Sequence, residues 1–405
     1  MKKTPVKGTN DYLPEDVRLR DYLQNKILET YIEAGYERIS TPAIEDAENL
    51  DKSDGGDNLN LIFNIMKRGD KLARALENGD KLFDLGLRYD LTLPLSRYFA
   101  NNRENLIMPA KCIQIGSVYR AERPQKGRLR EFVQCDIDVI GSKSYTMEVE
   151  LIYTTAKALK AIGIGGFTVR VNDRRILRLM LKNLGFGEND LDSVCITFDK
   201  LDKIGIDGVT VELEAKGFDA AVISRFGDVI SRPMTLDAIG EICGGEETEN
   251  LRKIIAKSES LAGGAYKIEF DISLVRGQGY YTGTVFEVVS DNFKGSVAGG
   301  GRYDNLIGKF IGEDVPAVGF SIGFERIFAL LKDAGYRIPD EKKRVALLYD
   351  ADDIEKAIAV SENMRGEYSV TLCEKPKKLS KYLDRIKEKN YYGFCFLGEE
   401  VRELK

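Results

Sequence analysis

The residues best suited to chemistry lie between Tyr119 and Glu131. Arg120, Arg123, Lys126, Arg128 and Arg130 face only Glu122 and Glu131 there. Guanidinium forks match phosphate oxygens, so several arginines on a rigid support suit a polyphosphate. Phe132 to Ile140 then alternates apolar and polar residues, putting Phe132, Gln134, Asp136 and Asp138 on one face of a strand. Cys112 to Ile115 is a second apolar run, and Pro124 and Gly127 break the stretch between them, so an antiparallel hairpin with a basic loop is expected. A solvated hairpin with charged edges would read similarly.

Three other stretches carry functional side chains. Asp90 and Thr92 follow an apolar run that starts at Leu82. On a strand they would point the same way and could receive an ammonium group; alternatively Asp90 caps a helix from Leu93 to Ala100. Arg276 is followed by Gly277, Gly279, Tyr280 and Tyr281, where glycine permits close backbone approach and tyrosine offers a rigid wall with a polar tip. Gly299, Gly300 and Gly301 precede Arg302 and Tyr303, and three successive glycines can form a flexible turn. Small residues at Gly319, Ser321 and Gly323 lead into Glu325 and Arg326, as in a strand that passes close to a nucleotide.

The supporting elements follow from periodicity. Residues 15–35 form an amphipathic helix with Leu19, Leu23, Ile27 and Tyr31 on one face, then a strand up to Pro42. A helix spans 148–161 and a strand 167–172. The texture between 174 and 262 is helical and charged, without a phosphate-type motif. Strands resume at Lys267. After a polar linker at 332–343, strands and helices alternate, which implies a small α/β domain with a parallel sheet and a basic helix at 377–389.

In order, these motifs resemble those of class II aminoacyl-tRNA synthetases, and of the histidyl-tRNA synthetase family in particular. Gly35 to Pro42 resembles motif 1, Tyr119 to Phe132 motif 2, and Pro316 to Arg326 motif 3. Leu87 to Thr92 resembles the element that binds the amino acid's α-amino group. Arg276 to Glu287 and Ala298 to Asp304 resemble the two histidine signatures, with Gly279 where the family often has Asp. The resemblance implies an α+β fold with an antiparallel catalytic sheet over 1–173 and 263–331, a helical insertion at 174–262 and an anticodon-binding type domain at 344–405 that stops short of the family's usual end. Implied substrates are histidine, ATP with Mg2+, and tRNA(His), in a homodimer.

The implied roles can be stated residue by residue. Arg120 meets the α-phosphate. Glu122 and Phe132 hold adenine, while Arg128 and Arg326 meet the outer phosphates. Asp90, Thr92 and Gln134 hold the amino acid backbone. Asp138, Tyr280, Tyr281 and Tyr303 surround the imidazole. Arg276 serves the reacting carboxylate and α-phosphate. Arg123, Gln125 and Lys126 face tRNA. Two rivals share the resemblance: the non-catalytic, synthetase-like regulatory subunit of ATP phosphoribosyltransferase, and a paralogue that charges a non-tRNA carrier.

Composition narrows the chemistry. The chain has 405 residues and no histidine, which removes imidazole metal sites, Ser-His or Cys-His pairs and histidine bases. Its net charge of −5 requires any nucleic-acid contact to be a local basic patch. Six scattered cysteines without Cys-x-x-Cys, and an N-terminus lacking an apolar signal core, lead us to expect reduced thiols in a cytoplasmic protein.

Overall fold

The computed structural model describes all residues except 52–60, 124–127, 199, 275–280, 292–294 and 405. Arg276, Tyr280, Gln125 and Lys126 therefore lie outside the described residues. The chain divides into two compact units, Met1–Tyr336 and Arg337–Lys405.

The first unit is built on an eight-stranded sheet. Second and third from one edge lies the long hairpin Ala110–Tyr119 and Glu131–Ile140, antiparallel from Ala110 opposite Ile140 to Tyr119 opposite Glu131. Next come Ala317–Gly323, Ser296–Arg302, Thr284–Ser290 and Phe167–Asp173, each antiparallel to its neighbour. Short strands Glu37–Arg38 and Lys267–Phe270 close the two edges in parallel. The alternation in the second hairpin strand has the expected consequence. Cys135, Ile137 and Val139 are fully buried on one face, leaving Gln134, Asp136 and Asp138 on the other.

The buried face is covered by helices Pro14–Glu33 and Thr146–Ala161, which pack on each other and on the hairpin strand. Leu23, Ile27 and Tyr31 are completely buried and Leu19 nearly so, as their helical spacing predicts. Residues 174–262 are helical from Arg174–Leu184 to Gly245–Ala262 and belong to the same compact unit as the sheet.

Two expectations change. Asp90 and Thr92 do not sit on a strand: the strand ends at Leu87 and Thr92 opens the helix Thr92–Asn102. The Asp90 carboxylate accepts from the Leu93 N–H at 3.1 Å, so the helix-capping alternative describes it. The glycine triplet is strand rather than turn. A Cβ on Gly300 would lie 2.0 Å from the Gly319 carbonyl oxygen, so the neighbouring strand leaves no room for a side chain.

In the second unit, Lys343–Tyr349 lies between Tyr368–Glu374 and Gly393–Phe396, all parallel, and Arg402–Glu403 adds an antiparallel edge. The helices Ile354–Met364 and Leu379–Glu388 accompany this sheet. Val345, Leu347 and Cys395 form one small core, and Ala346, Leu348 and Ile386 another.

Candidate active site

The polar face of the sheet floors a cleft of about 610 Å3, within the range of small-molecule sites. Gln134, Asp136 and Asp138 run along its floor. Ser321 pairs in register with Asp136, and Gly319 with Asp138. A Cβ on Gly319 would lie 1.9 Å from the Asp138 carboxylate, so glycine is what lets that side chain stand upright beside the next strand.

Of the residues expected at the site, Thr92, Arg120, Glu122, Arg128, Phe132, Gln134, Asp138, Tyr281, Tyr303 and Arg326 all line this cleft. Asp90 is not part of its wall, and Arg123 is exposed in the hairpin loop. The lining also includes Asp136, Glu287 and Glu325, to which sequence reading gave no role. Same-strand alternation was a usable signal for Asp136, since it sits between two residues already singled out.

The cleft is polarised. At one end the Arg120 guanidinium lies 5.1 Å from the Phe132 ring centroid, with Nε donating to the Tyr89 carbonyl at 3.0 Å. Arg128 is exposed and sits 3.7 Å from Glu122. Arg326 donates to the Ser296 carbonyl. This end offers cations and an aromatic face. The other end holds carboxylates, and Asp138 accepts from the Tyr303 hydroxyl at 2.6 Å.

Burial pushes the Asp138 carboxyl up to about 7, with Asp90 raising it further and the Tyr303 hydroxyl pulling it down. Tyr303→Phe should therefore move the acid limb of the pH profile for amino acid use to higher pH. The measurement is kcat/KM against pH for both proteins. An unmoved limb would separate Tyr303 from the titration of Asp138.

Distant residues brace the site. Arg88 is buried and donates Nε to the Ser117 carbonyl and Nη1 to the Thr41 carbonyl, both at 2.8 Å. Gln114 accepts from Thr41 at 2.8 Å and donates to the Leu91 carbonyl at 2.9 Å. Together they fix the turn before Thr92 against the first hairpin strand. Glu325 is held by both guanidinium nitrogens of Arg20, at 2.6 and 2.8 Å, by the Tyr12 hydroxyl and by the Val133 N–H.

A largely antiparallel sheet with an arginine-lined hairpin and a cleft on its polar face is the α+β catalytic unit of a class II aminoacyl-tRNA synthetase. Its particular family follows from the comparisons. The sequence model for histidyl-tRNA synthetase matches residues 8–327. The histidine–tRNA ligase of Leifsonia xyli subsp. xyli is 41% identical over 98% of this chain and 96% of that protein. That of Aeropyrum pernix is 40% identical over 82% of this chain and 74% of that one. Among solved structures, histidyl-tRNA synthetase from Nostoc sp. PCC 7120 superposes with a TM-score of 0.80 at 26% identity, covering 97% of this chain and 91% of the other. The chain belongs to the histidyl-tRNA synthetase family.

A Bacillus halodurans structure titled as an ATP phosphoribosyltransferase regulatory subunit/histidyl-tRNA synthetase also superposes with a TM-score of 0.80. At 21% identity it speaks to the fold alone.

Proposed function

We infer that this protein is a histidine–tRNA ligase. It joins histidine to ATP, releases pyrophosphate and transfers the histidyl group to tRNA(His). The observation that carries this reading is the polarised floor, with Phe132 and Arg120 at one end and the Tyr303–Asp138 pair at the other. ATP fits the cationic end, where Phe132 and Glu122 would take the base and Arg120, Arg128 and Arg326 the phosphates. Histidine fits the carboxylate end, with Thr92 and Gln134 near its backbone and Asp138, Tyr281 and Tyr303 around the imidazole. Magnesium would arrive on the phosphates of ATP and neutralise charge there.

The chain's own groups supply positioning and charge. Arg120, fixed by the Tyr89 carbonyl, presents a planar fork toward the α-phosphate, where negative charge gathers during attack by the histidine carboxylate. Arg276 has the same expected task on the strength of its motif. Asp138 accepts the imidazole N–H and so rejects amino acids that lack one. Arg123, Gln125 and Lys126 would meet tRNA from the hairpin loop. Residues 344–405 would serve as the anticodon-binding domain, and 174–262 as an insertion leaning on the acceptor arm.

Histidine-dependent ATP–pyrophosphate exchange followed by charging of tRNA(His) tests the whole reading. Exchange without charging would favour a non-tRNA carrier, and neither would favour a regulatory subunit. We also propose a homodimer through the motif 1 region. Ile32 and Ile44 are half exposed there, and Glu37–Arg38 forms an open sheet edge. Sedimentation at micromolar concentration should give twice the 45.4 kDa chain mass. A single monomer boundary would contradict it.

A further inference from the structure

We propose that Arg174 is a positioning residue for amino acid use: from the point where the chain leaves the sheet for the helices of 174–262, it sets the place of Tyr281 in the cleft wall. The inference rests on the histidine-activating reading above and adds to it a residue outside the cleft lining.

The first ground is a missing rung of the sheet. The strand Phe167–Asp173 runs antiparallel to Thr284–Ser290, with Asp173 opposite Thr284. One residue further the ladder continues, as the Arg174 N–H donates to the Gly283 carbonyl at 3.2 Å. There the chain turns away, because Arg174 opens the helix Arg174–Leu184. The next backbone N–H, that of Arg175, donates to the Asp173 carboxylate at 2.9 Å and caps that helix. The ladder cannot reach Tyr281 by backbone. The Arg174 side chain supplies the rung instead, with Nη1 donating to the Tyr281 carbonyl at 3.0 Å. Burial pulls this guanidinium below its usual pKa, yet arginine stays protonated. A charged donor in a partly buried setting makes a stronger bond than a neutral one.

The second ground is what the rung holds. On the opposite flank the Thr282 N–H donates to the Arg302 carbonyl at 2.8 Å, and the Asp304 N–H donates to Thr282 Oγ1 at 3.0 Å. Tyr281–Gly283 is thus gripped from two sides, and Arg174 supplies one of them. A Cβ on Gly301 would lie 2.8 Å from Tyr281 Cδ1, so the ring rests directly on the strand Ser296–Arg302. The ring also packs against the cluster that contains Tyr303. It is joined to its backbone by one methylene, so it moves when that backbone moves.

The third ground is the division of labour among neighbouring arginines. Arg175 turns back on Asp173, with Nε at 2.9 Å and Nη2 at 2.6 Å. Arg178 pairs with Asp192 of the next long helix. Both strengthen the start of the helical stretch itself. Arg174 reaches across to the cleft wall.

The test is pyrophosphate exchange with the full chain. Arg174→Met, which keeps an apolar stem and removes the donor, should raise the KM for histidine by roughly ten- to a hundredfold, the worth of one charge-assisted hydrogen bond. The KM for ATP should stay near its wild-type value. Arg174→Lys should recover part of the loss, since it keeps the charge without the fork. Arg175→Met loosens the same junction without removing the bond to Tyr281, and should leave the histidine KM near wild type. An unchanged histidine KM in Arg174→Met, a parallel rise for ATP, or an equal rise in Arg175→Met overturns the proposal.

A double-mutant cycle separates positioning from general support. Tyr281→Ala leaves no ring to place, so adding Arg174→Met should change the histidine KM little further. Full additivity of the two changes overturns the proposal. Arg174→Lys carries the same cycle where the Met variant does not fold. Wild-type protein that exchanges no pyrophosphate with histidine would instead refute the earlier reading. Normal wild-type exchange with an unaltered histidine KM in Arg174→Met refutes only this one.

Discussion

Asp138→Ala is expected to raise the KM for histidine by roughly two to three orders of magnitude while leaving the KM for ATP nearly unchanged. Asp138 is 4% exposed and accepts the Tyr303 hydroxyl at 2.6 Å. Removing it takes away the acceptor for the imidazole N–H and strands the tyrosine hydroxyl as well. Truncating one partner of a buried, hydrogen-bonded charged pair costs about 2–5 kcal/mol. The residues expected to hold ATP stand elsewhere: Phe132 lies six positions earlier on the same strand, with Arg120 beside it. Steady-state kinetics with each substrate varied in turn is the measurement. Parallel losses toward histidine and ATP would make Asp138 a general support of the cleft rather than its selector.

Arg302→Ala should destabilise the first unit by about 3–5 kcal/mol. Arg302 donates Nε and Nη2 to the two oxygens of Glu148 at 2.7 and 2.8 Å, and Nη1 to the Ser142 carbonyl at 3.1 Å. The two side chains are only 7% and 3% exposed. The pair ties the strand Ser296–Arg302 to the helix Thr146–Ala161. Losing the arginine leaves a buried carboxylate without compensation, which costs more than the intact pair contributes. Urea unfolding followed by circular dichroism should give a lower midpoint. Arg302→Met combined with Glu148→Leu should recover most of the loss, because an apolar pair of similar volume strands no charge. A single variant as stable as wild type would mean that Glu148 finds water or another partner.

The hairpin was legible because its signals are local: an apolar run, a break, then strict alternation from Phe132 to Ile140. The helix Pro14–Glu33 was legible for the same reason, through Leu19, Leu23, Ile27 and Tyr31. Arg302–Glu148 and Arg20–Glu325 left no trace in the sequence, since the partners stand 154 and 305 residues apart. Asp90 carried two readings because an aspartate before a helix and an aspartate at a ligand look alike in one dimension. The glycine triplet was ambiguous too, as only the 2.0 Å between a Cβ on Gly300 and the Gly319 carbonyl oxygen distinguishes a crowded strand from a loose turn. Arg174 was passed over because its partner, the Tyr281 carbonyl, stands 107 residues away.

The hold of Arg20 on Glu325 has a consequence for how the N-terminal segment is to be regarded. One guanidinium, stacked 4.0 Å from the Tyr12 ring centroid, grips a carboxylate that both lines the cleft and takes the Val133 N–H of the floor strand. Nearby, the Gly8 carbonyl accepts from the Arg130 N–H at the root of the basic loop. The opening residues thus behave as a keystone, set against two arms of the cleft and holding both in place. Trimming them, or levering the first helix away from the sheet, would loosen the substrate wall without altering any residue that substrate touches.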